Sequence, residues 1–291
     1  MKVAALIGDP VGHSVAPVLH EYLAARTSQE FRYVKLSIPP ERVDAAATAM
    51  VTLRFAGYNV TLPHKEAVGA SLDTVDTVAT SVGAVNTVII DDAGRSIGTN
   101  TDWIGIADGL IQHGHPRRVE ADRRAVVLGS GGAARAAIYA LTQLGYAAIT
   151  VFYREPADLK TIALRQQALQ LSSFEMRTYS DVAEYIERAD TVVNMTSAGM
   201  ADNDPAPFDL ARIAHLDLRG KWFLDAVFNP LRTPLLELAR RNQAVAIDGL
   251  WMMIFQGIPA FSAWTGRVVK LDQSQLNEIH MVLSTALQDA R

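Results

Sequence analysis

The sequence predicts an α/β fold with two domains. Strand-like runs rich in β-branched and aromatic residues alternate with amphipathic helical patterns, which is typical of α/β proteins with mainly parallel sheets. The chain has 291 residues, more than one compact domain usually holds. A second series of strands opens on a glycine-rich turn only at Gly129, so the segment before it must form a domain of its own.

The first series lies in the N-terminal part of the chain. Its strands are predicted at residues 3–7, 31–38, 58–62 and 83–90. A helix over residues 15–25 follows the first strand, because its apolar side chains recur on one helical face.

The second series begins with a strand at 124–128 and a helix at 133–144, after a polar connecting loop at 114–122. Further strands are predicted at 148–153, 175–178, 191–194, 222–227 and 244–247. The final helices, at about 250–264 and 274–290, are followed by no new strand.

Composition excludes several classes of function. The net charge is -4 and the basic residues are dispersed, so no nucleic-acid partner is expected. The chain has no cysteine, which removes disulfide scaffolds and thiolate zinc sites, and His13 and His64 lack partners at metal-ligand spacing, so no metal is expected. No window approaches the roughly 20 apolar residues of a membrane span. We therefore expect a soluble, cytoplasmic protein.

The glycine-rich turn predicts a dinucleotide site. Residues 129–134 fit the pattern G-x-G-x-x-G/A, directly after an apolar strand and directly before a helix. Glycines let the backbone approach a pyrophosphate, and the free amides of the helix start favour its negative charge. The alternative is a tight βα turn that binds nothing.

The choice between NAD and NADP depends on the end of the following strand. Arg154 could clamp a 2′-phosphate, which favours NADP slightly, whereas Glu155 could bind a free 2′-hydroxyl and repel a phosphate. Each is also interpretable as a solvated surface charge. The sequence leaves both cofactors open.

Three N-terminal segments place polar residues in or just after apolar strands, where α/β sheets present loops to a ligand. They are G-x-P-x-x-H-S at 8–14, N-V-T-x-P-x-K at 59–65, and G-A-V-N-T at 83–87 followed by N-T-D at 100–102. These motifs resemble those of the shikimate/quinate dehydrogenase family. The same resemblance includes the glycine turn, residues 194–197, 225–230 and 248–250, and Gln256. The resemblance covers nearly the whole chain in the family's order.

That resemblance implies a substrate-binding and catalytic domain built from residues 1–104 plus 249–291. A Rossmann-like NAD(P)-binding domain at 105–248 would be inserted into it. The implied reaction converts 3-dehydroshikimate and NAD(P)H into shikimate and NAD(P)+, reversibly. The implied partner is a small ring carboxylic acid, with no nucleic acid or membrane, and assembly as a homodimer stays open.

The resemblance also implies roles for individual residues. Lys65 and Asp102 would be the catalytic pair, because hydride transfer at a hydroxyl carbon requires a proton to move at the same oxygen. Ser14 would hold the substrate carboxylate. The ring hydroxyls would be bound by Thr61, Asn86, Asp102 and Gln256, and the cofactor by Gly129, Gly131, Gly132, Ala133, Arg154 and Thr196.

Ordinary structural interpretations of these residues remain open. Lys65 could be a surface lysine, and Asp102 and Ser14 could each cap a helix N-terminus. Asn86 and Thr61 could satisfy local backbone in turns. Gln256 could be a buried structural amide.

Three positions depart from the family pattern and bear on the substrate. Ala16 replaces a second carboxylate-binding serine, Phe228 a common tyrosine, and Trp251 a usual glycine. Losing a hydrogen bond to a charged group costs roughly 1.5–3 kcal/mol, so shikimate could be a poor substrate. A quinate or aminoshikimate-type enzyme is therefore an alternative, and a non-catalytic dinucleotide or metabolite sensor is one from another class. The exact ring acid, the direction and the oligomeric state are not fixed by the sequence.

Overall fold

Two six-stranded sheets organise the chain, and helices alternate with strands in both, in agreement with the predicted α/β class. The computed structural model describes residues 1–120, 122–154, 173–200 and 206–289. The chain divides into a first unit, Met1–Asp102 with Met253–Arg291, and a second unit, Trp103–Met252. Assignment of these units to substrate and cofactor stays a prediction at this point.

The sheet of the first unit is mixed. Its strands are β1 (Lys2–Gly8), β2 (Phe31–Ser37), β3 (Gly57–Val60), β4 (Thr74–Val75), β5 (Thr87–Ile90) and β6 (Ser96–Thr99), in the order β2-β1-β3-β5-β6-β4. β1 pairs parallel with β2 and β3, whereas β5 runs antiparallel to β3 and β6. Three of the five pairings are parallel, the third being β4 with β6, so parallel pairing still predominates as expected. β5 and β6 pair antiparallel because the turn over 91–95 is too short for a crossover connection.

The sheet of the second unit is entirely parallel. Its strands are β7 (Arg124–Leu128), β8 (Ala148–Phe152), β9 (Ser173–Arg177), β10 (Thr191–Asn194), β11 (Trp222–Asp225) and β12 (Val245–Ile247). They lie in the order β9-β8-β7-β10-β11-β12. This is the doubly wound order of dinucleotide-binding sheets. Successive strands are added on one side of β7 up to β9 and on the other side from β10 onward, and such sheets bind ligands at this switch point between β7 and β10.

Nine α-helices lie within the described ranges. They are α1 (Ala16–Arg26), α2 (Val43–Thr52), α3 (Thr77–Val82), α4 (Asp102–Gln112), α5 (Gly132–Gln143), α6 (Val182–Arg188), α7 (Pro234–Arg241), α8 (Gly249–Thr265) and α9 (Gln273–Asp289). Among these described helices, none combines the length and apolar character needed to cross a bilayer.

One predicted strand begins later than expected. The prediction at 83–90 is corrected to Thr87–Ile90, because Gly83 adopts φ +66° and ends α3 as its C-cap. A positive φ favours glycine and stops a helix. The three residues between Gly83 and Thr87 are therefore free to form a polar loop.

An aromatic cluster packs against one face of the first sheet. It consists of His20 from α1, Phe31 and Tyr33 from β2, and Phe261 and Trp264 from α8. The Trp264 indole donates to the Val88 carbonyl at 2.9 Å. Gly57 makes this approach feasible, since a Cβ there would lie 2.3 Å from the indole nitrogen. The cluster thereby anchors the C-terminal part of α8, the helix that also carries Gln256.

Candidate active site

Lys65 and Asp102 form an ion pair in the first unit. Lys65 lies in the turn after β3, and Asp102 is the first residue of α4. The Lys65 Nζ donates to Asp102 Oδ2 at 2.7 Å, and the two side chains are only 16% and 6% exposed. Two such groups held out of water in contact are a suitable proton-transfer pair.

Asn86 holds the second oxygen of the Asp102 carboxylate. Its Nδ2 donates to Asp102 Oδ1 at 2.8 Å, and its Oδ1 accepts from the Thr101 backbone amide at 2.7 Å. The Gln256 Oε1 lies 3.4 Å from Asn86 Nδ2 and accepts from the Thr101 hydroxyl at 3.3 Å. Four of the predicted residues, Lys65, Asp102, Asn86 and Gln256, are thus joined in one hydrogen-bonded cluster.

Ser14 and Thr61 lie in loops at the same sheet edge. Those loops follow the parallel neighbours β1 and β3, and they are tied together where the Asp9 amide donates to the Leu62 carbonyl at 3.0 Å. Gly8 permits this packing, because a Cβ there would be 2.4 Å from Thr61 Cγ2. Both side chains are partly exposed and lie outside the hydrogen bonds of the Lys65 cluster.

The local roles expected for Ser14 and the histidines can be compared with the contacts. The Ser14 hydroxyl accepts from the Ala16 amide at 3.2 Å, so it does satisfy the start of α1. His64 is buried and its Nε2 lies 2.6 Å from the Ile38 carbonyl, a structural contact. Among the described residues there is no group of three side chains able to hold a metal ion.

The glycine turn of the second unit has the shape that a pyrophosphate needs. Gly129 adopts φ +108°, and a Cβ there would lie 3.0 Å from Thr196 Cγ2. Gly131 precedes α5 as its N-cap with no side chain capping the helix, and nothing lies within 4 Å of where its Cβ would be. The amides at the start of α5 therefore face open space, and the residues present fit a dinucleotide.

Arg154 lies exposed two residues after β8, while Glu155 falls outside the described residues. Tyr179 lies close to it: burial raises the pKa of Tyr179 to about 12, and the positive charge of Arg154 partly opposes that shift. No sequence pattern singled out Tyr179. Its proximity to both Arg154 and the Phe152 carbonyl, 3.4 Å from its hydroxyl, places it beside the predicted ribose end of the site.

A buried acid supports Thr196. Asp225 accepts hydrogen bonds from Asn194 Nδ2 at 2.9 Å and from the Thr233 hydroxyl at 2.7 Å, and Asn194 Oδ1 in turn accepts from the Thr196 hydroxyl at 2.7 Å. Burial raises the pKa of Asp225 to about 6, and these hydrogen bonds limit the rise. The sequence motifs contain these residues but do not reveal that they are connected.

The structure shows the burial of the three residues that depart from the family pattern, Trp251, Ala16 and Phe228. Trp251 packs edge-on against the His113 ring, with centroids 5.0 Å apart, and is 8% exposed. Ala16 is buried at the start of α1, and Phe228 is half-buried after β11. Trp251 is therefore a buried side chain with the His113 ring of the second unit against it.

The chain is similar to known proteins along most of its length. Residues 6–88 match the family model described as shikimate dehydrogenase substrate binding domain. The chain is 37% identical over 273 residues to a shikimate dehydrogenase (NADP(+)) of Rhodospirillum rubrum, covering 94% of this chain and 95% of that one.

Solved structures give the same result. The shikimate 5-dehydrogenase of Thermus thermophilus in complex with NADP(H) and shikimate superposes with a TM-score of 0.82 at 31% identity, covering 97% of this chain and 100% of that one. A quinate dehydrogenase of Corynebacterium glutamicum in complex with NAD gives 0.83 at 30% identity, covering 97% and 99%.

Proposed function

Since the chain belongs to the shikimate dehydrogenase family, we propose that it is an NAD(P)-dependent oxidoreductase acting on a ring hydroxyl of shikimate or a related cyclic polyhydroxy acid. The observation that carries this proposal is the Lys65–Asp102 pair, with an Nζ–Oδ2 distance of 2.7 Å. NADP is the first cofactor to test, because the curated relatives are named for it. NAD is the second, because the quinate relative binds it.

The catalytic pair performs the proton half of the reaction. On oxidation, the C–H bond at the hydroxyl-bearing carbon breaks with its electron pair and the O–H bond breaks with loss of a proton. A bound nicotinamide accepts or supplies the hydride. Lys65 takes up or returns the proton, while Asp102 holds the lysine in one orientation.

The substrate would be held by the residues around that pair. Asn86, Thr61, Gln256 and Asp102 would bind the ring hydroxyls, and Ser14 the carboxylate. The Ser14 hydroxyl already accepts from the Ala16 amide, which leaves its own proton to donate to a carboxylate oxygen. These assignments make the first unit the substrate domain.

The second unit would bind the cofactor through residues that surround the glycine turn. Their contribution is an open helix start for the pyrophosphate and a cationic group for a 2′-phosphate. The residues are Gly129, Gly131, Gly132, Ala133, Arg154 and Thr196. A homodimeric assembly and a cytoplasmic location remain predictions.

Quinate is the second candidate substrate. Ala16 offers one hydroxyl fewer for a carboxylate than the family's usual serine, and a quinate dehydrogenase is among the similar structures.

The test is absorbance at the reduced-nicotinamide band with the purified protein. Shikimate and quinate are each supplied with NADP and with NAD, alongside a Lys65→Ala variant. Turnover that the variant loses would support the proposal and identify both the acid and the cofactor. Cofactor binding without turnover on any of these pairs would rule out shikimate and quinate, and the same result with a wider panel of related ring acids would contradict the proposal and favour a sensor.

A further inference from the structure

We propose that Tyr33 is a positioning residue for the Lys65–Asp102 pair, acting through Asn59 and Asn86. Tyr33 lies on β2, and nothing in the motifs of the sequence connects it with the site. The proposal rests on the proposed function, since the property it explains is the alignment of the catalytic pair. Each link is a hydrogen bond between buried groups.

The Tyr33 side chain is fixed in place. It is buried, and its ring stacks on His20 with centroids 4.1 Å apart. Its hydroxyl donates to Asn59 Oδ1 at 2.7 Å. Burial also raises the pKa of Tyr33 well above its usual value, so the hydroxyl keeps its proton and remains a donor.

Asn59 passes this restraint to the loop that carries Asn86. With its oxygen occupied by Tyr33, its Nδ2 donates to the Asn86 carbonyl at 3.2 Å and to the Thr87 hydroxyl at 3.0 Å. Because Asn59 is buried, water cannot replace a lost partner freely. Removing the Tyr33 hydroxyl therefore leaves the Asn59 oxygen without its donor and loosens both contacts.

The last link reaches the catalytic acid. The Thr87 hydroxyl donates to Asn86 Oδ1 at 3.0 Å, and Asn86 Nδ2 donates to Asp102 Oδ1 at 2.8 Å. In this series of hydrogen bonds, each side chain thus donates to the next one, from Tyr33 to Asp102. The Lys65 ammonium binds the remaining oxygen of that carboxylate, so a shift of Asn86 moves the pair as a whole.

The test compares Tyr33→Phe with Tyr58→Phe. Tyr58 is a matched control, because it is fully buried on β3 of the same sheet and its hydroxyl has no hydrogen-bond partner among the described residues. We expect Tyr33→Phe to lower kcat about five- to tenfold, with the KM for the nicotinamide cofactor within about twofold, since misalignment acts on the chemical step. Tyr58→Phe should leave kcat unchanged.

A double-mutant cycle tests the route. In an Asn59→Ala background, adding Tyr33→Phe should lower kcat no further, because the connection is already cut. Independent, multiplying effects of the two changes would overturn the proposed route.

A third readout does not need turnover. The side-chain amide protons of Asn86, followed by NMR, should exchange with solvent faster in Tyr33→Phe than in Tyr58→Phe. Equal exchange and equal kcat in the two variants would overturn the inference. If the wild type turned over no ring acid, the proposed function would fail, while the exchange comparison would still decide whether Tyr33 positions Asn86.

Discussion

At the scale of single residues, the Lys65 side chain has no substitute in the hydrogen-bonded cluster. Replacing it with methionine keeps an unbranched side chain that ends at the Cε position but removes the proton carrier. We expect kcat to fall by about 10²–10⁴ while cofactor affinity is retained, because acid–base groups contribute on that order. Steady-state kinetics measures the decrease. The matched control is Lys270→Met, because Lys270 is an exposed lysine of the same unit. A decrease shared by both variants would argue against a catalytic role.

The burial of His20 leads to a prediction for how the free energy of unfolding depends on pH. Neither of its ring nitrogens has a hydrogen-bond partner among the described residues, and burial lowers its pKa to about 3, an effect that the neighbouring Asn59 offsets only in part. Between pH 6.5 and 3 the unfolded chain therefore binds a proton at His20 that the folded chain refuses. The free energy of unfolding should fall by about 1.4 kcal/mol per pH unit from this group as the pH decreases through that window.

Urea unfolding at pH 7, 6 and 5 measures this effect by comparison with His20→Phe. The variant keeps the stacked ring and removes the titrating nitrogens, so its stability should decline less steeply than that of the wild type. Parallel pH profiles for the two proteins would contradict the prediction. The comparison cancels the contributions of other titrating groups, such as His115, whose pKa is also lowered by burial.

The residues of the cluster differ in how visible they are in the sequence. Asn86, Asp102 and Gln256 stand in motifs and could be named as candidates. Asn59 and Thr87 stand in the same motifs, yet their importance comes from partners that only folding brings near, such as Tyr33 and Thr101. A short motif specifies residue types at a spacing, and it cannot specify which buried donor meets which acceptor.

At the scale of elements, two glycines in the turn before α5 allow the effect on stability and the effect on cofactor binding to be measured separately. Gly129→Ala introduces a side chain at φ +108° and against Thr196, so the free energy of unfolding should fall by about 2 kcal/mol. Gly131→Ala meets open space at an ordinary φ of -83°, so the free energy of unfolding should fall by no more than about 1 kcal/mol, the cost of alanine at a helix N-cap. The Gly131 variant should instead raise the KM for the cofactor about tenfold, because its methyl group enters the proposed pyrophosphate position.

Chemical denaturation and kinetics on both variants measure the two effects. Gly131→Ala with wild-type cofactor KM would show that the turn is structural only.

The alternation of strands and helices made the parallel sheet of the second unit predictable. In the first unit, β5 falls within the strand predicted at 83–90, but β4 and β6 were not predicted. A four-residue segment such as Ser96–Thr99, which contains a serine and a glycine, is too short and too mixed in character to stand out.

At the scale of the whole molecule, the two units differ in how they are built from the chain. All strands of the second sheet and the cluster of buried residues around Phe152 and Phe223 come from one continuous segment. We expect a fragment of residues 103–252 to unfold cooperatively on heating. A fragment of residues 1–102 should not, because Phe31 and Tyr33 lose the packing of Phe261 and Trp264.

Circular dichroism melting curves of the two fragments test this. Joining residues 1–102 to 253–291 through a flexible linker should restore a cooperative transition to the first unit. A sharp transition in 1–102 alone would contradict the importance of the aromatic cluster. The family resemblance implied that a domain was inserted, but packing between segments so distant along the chain leaves no local signal in the sequence.

The divided origin of the first unit has a consequence for synthesis on the ribosome. Residues 253–291 carry Gln256, Phe261 and Trp264, and they emerge only after residues 103–252 have been translated. The second unit can therefore acquire its sheet while the nascent chain is still growing, whereas the first must wait with Phe261 and Trp264 missing from its aromatic cluster. A chain released early would hold Lys65 and Asp102 without the helix that completes their surroundings. Translation order thus leaves the contacts of Gln256 with Asn86 and Thr101 as the part of the hydrogen-bonded cluster that is supplied last.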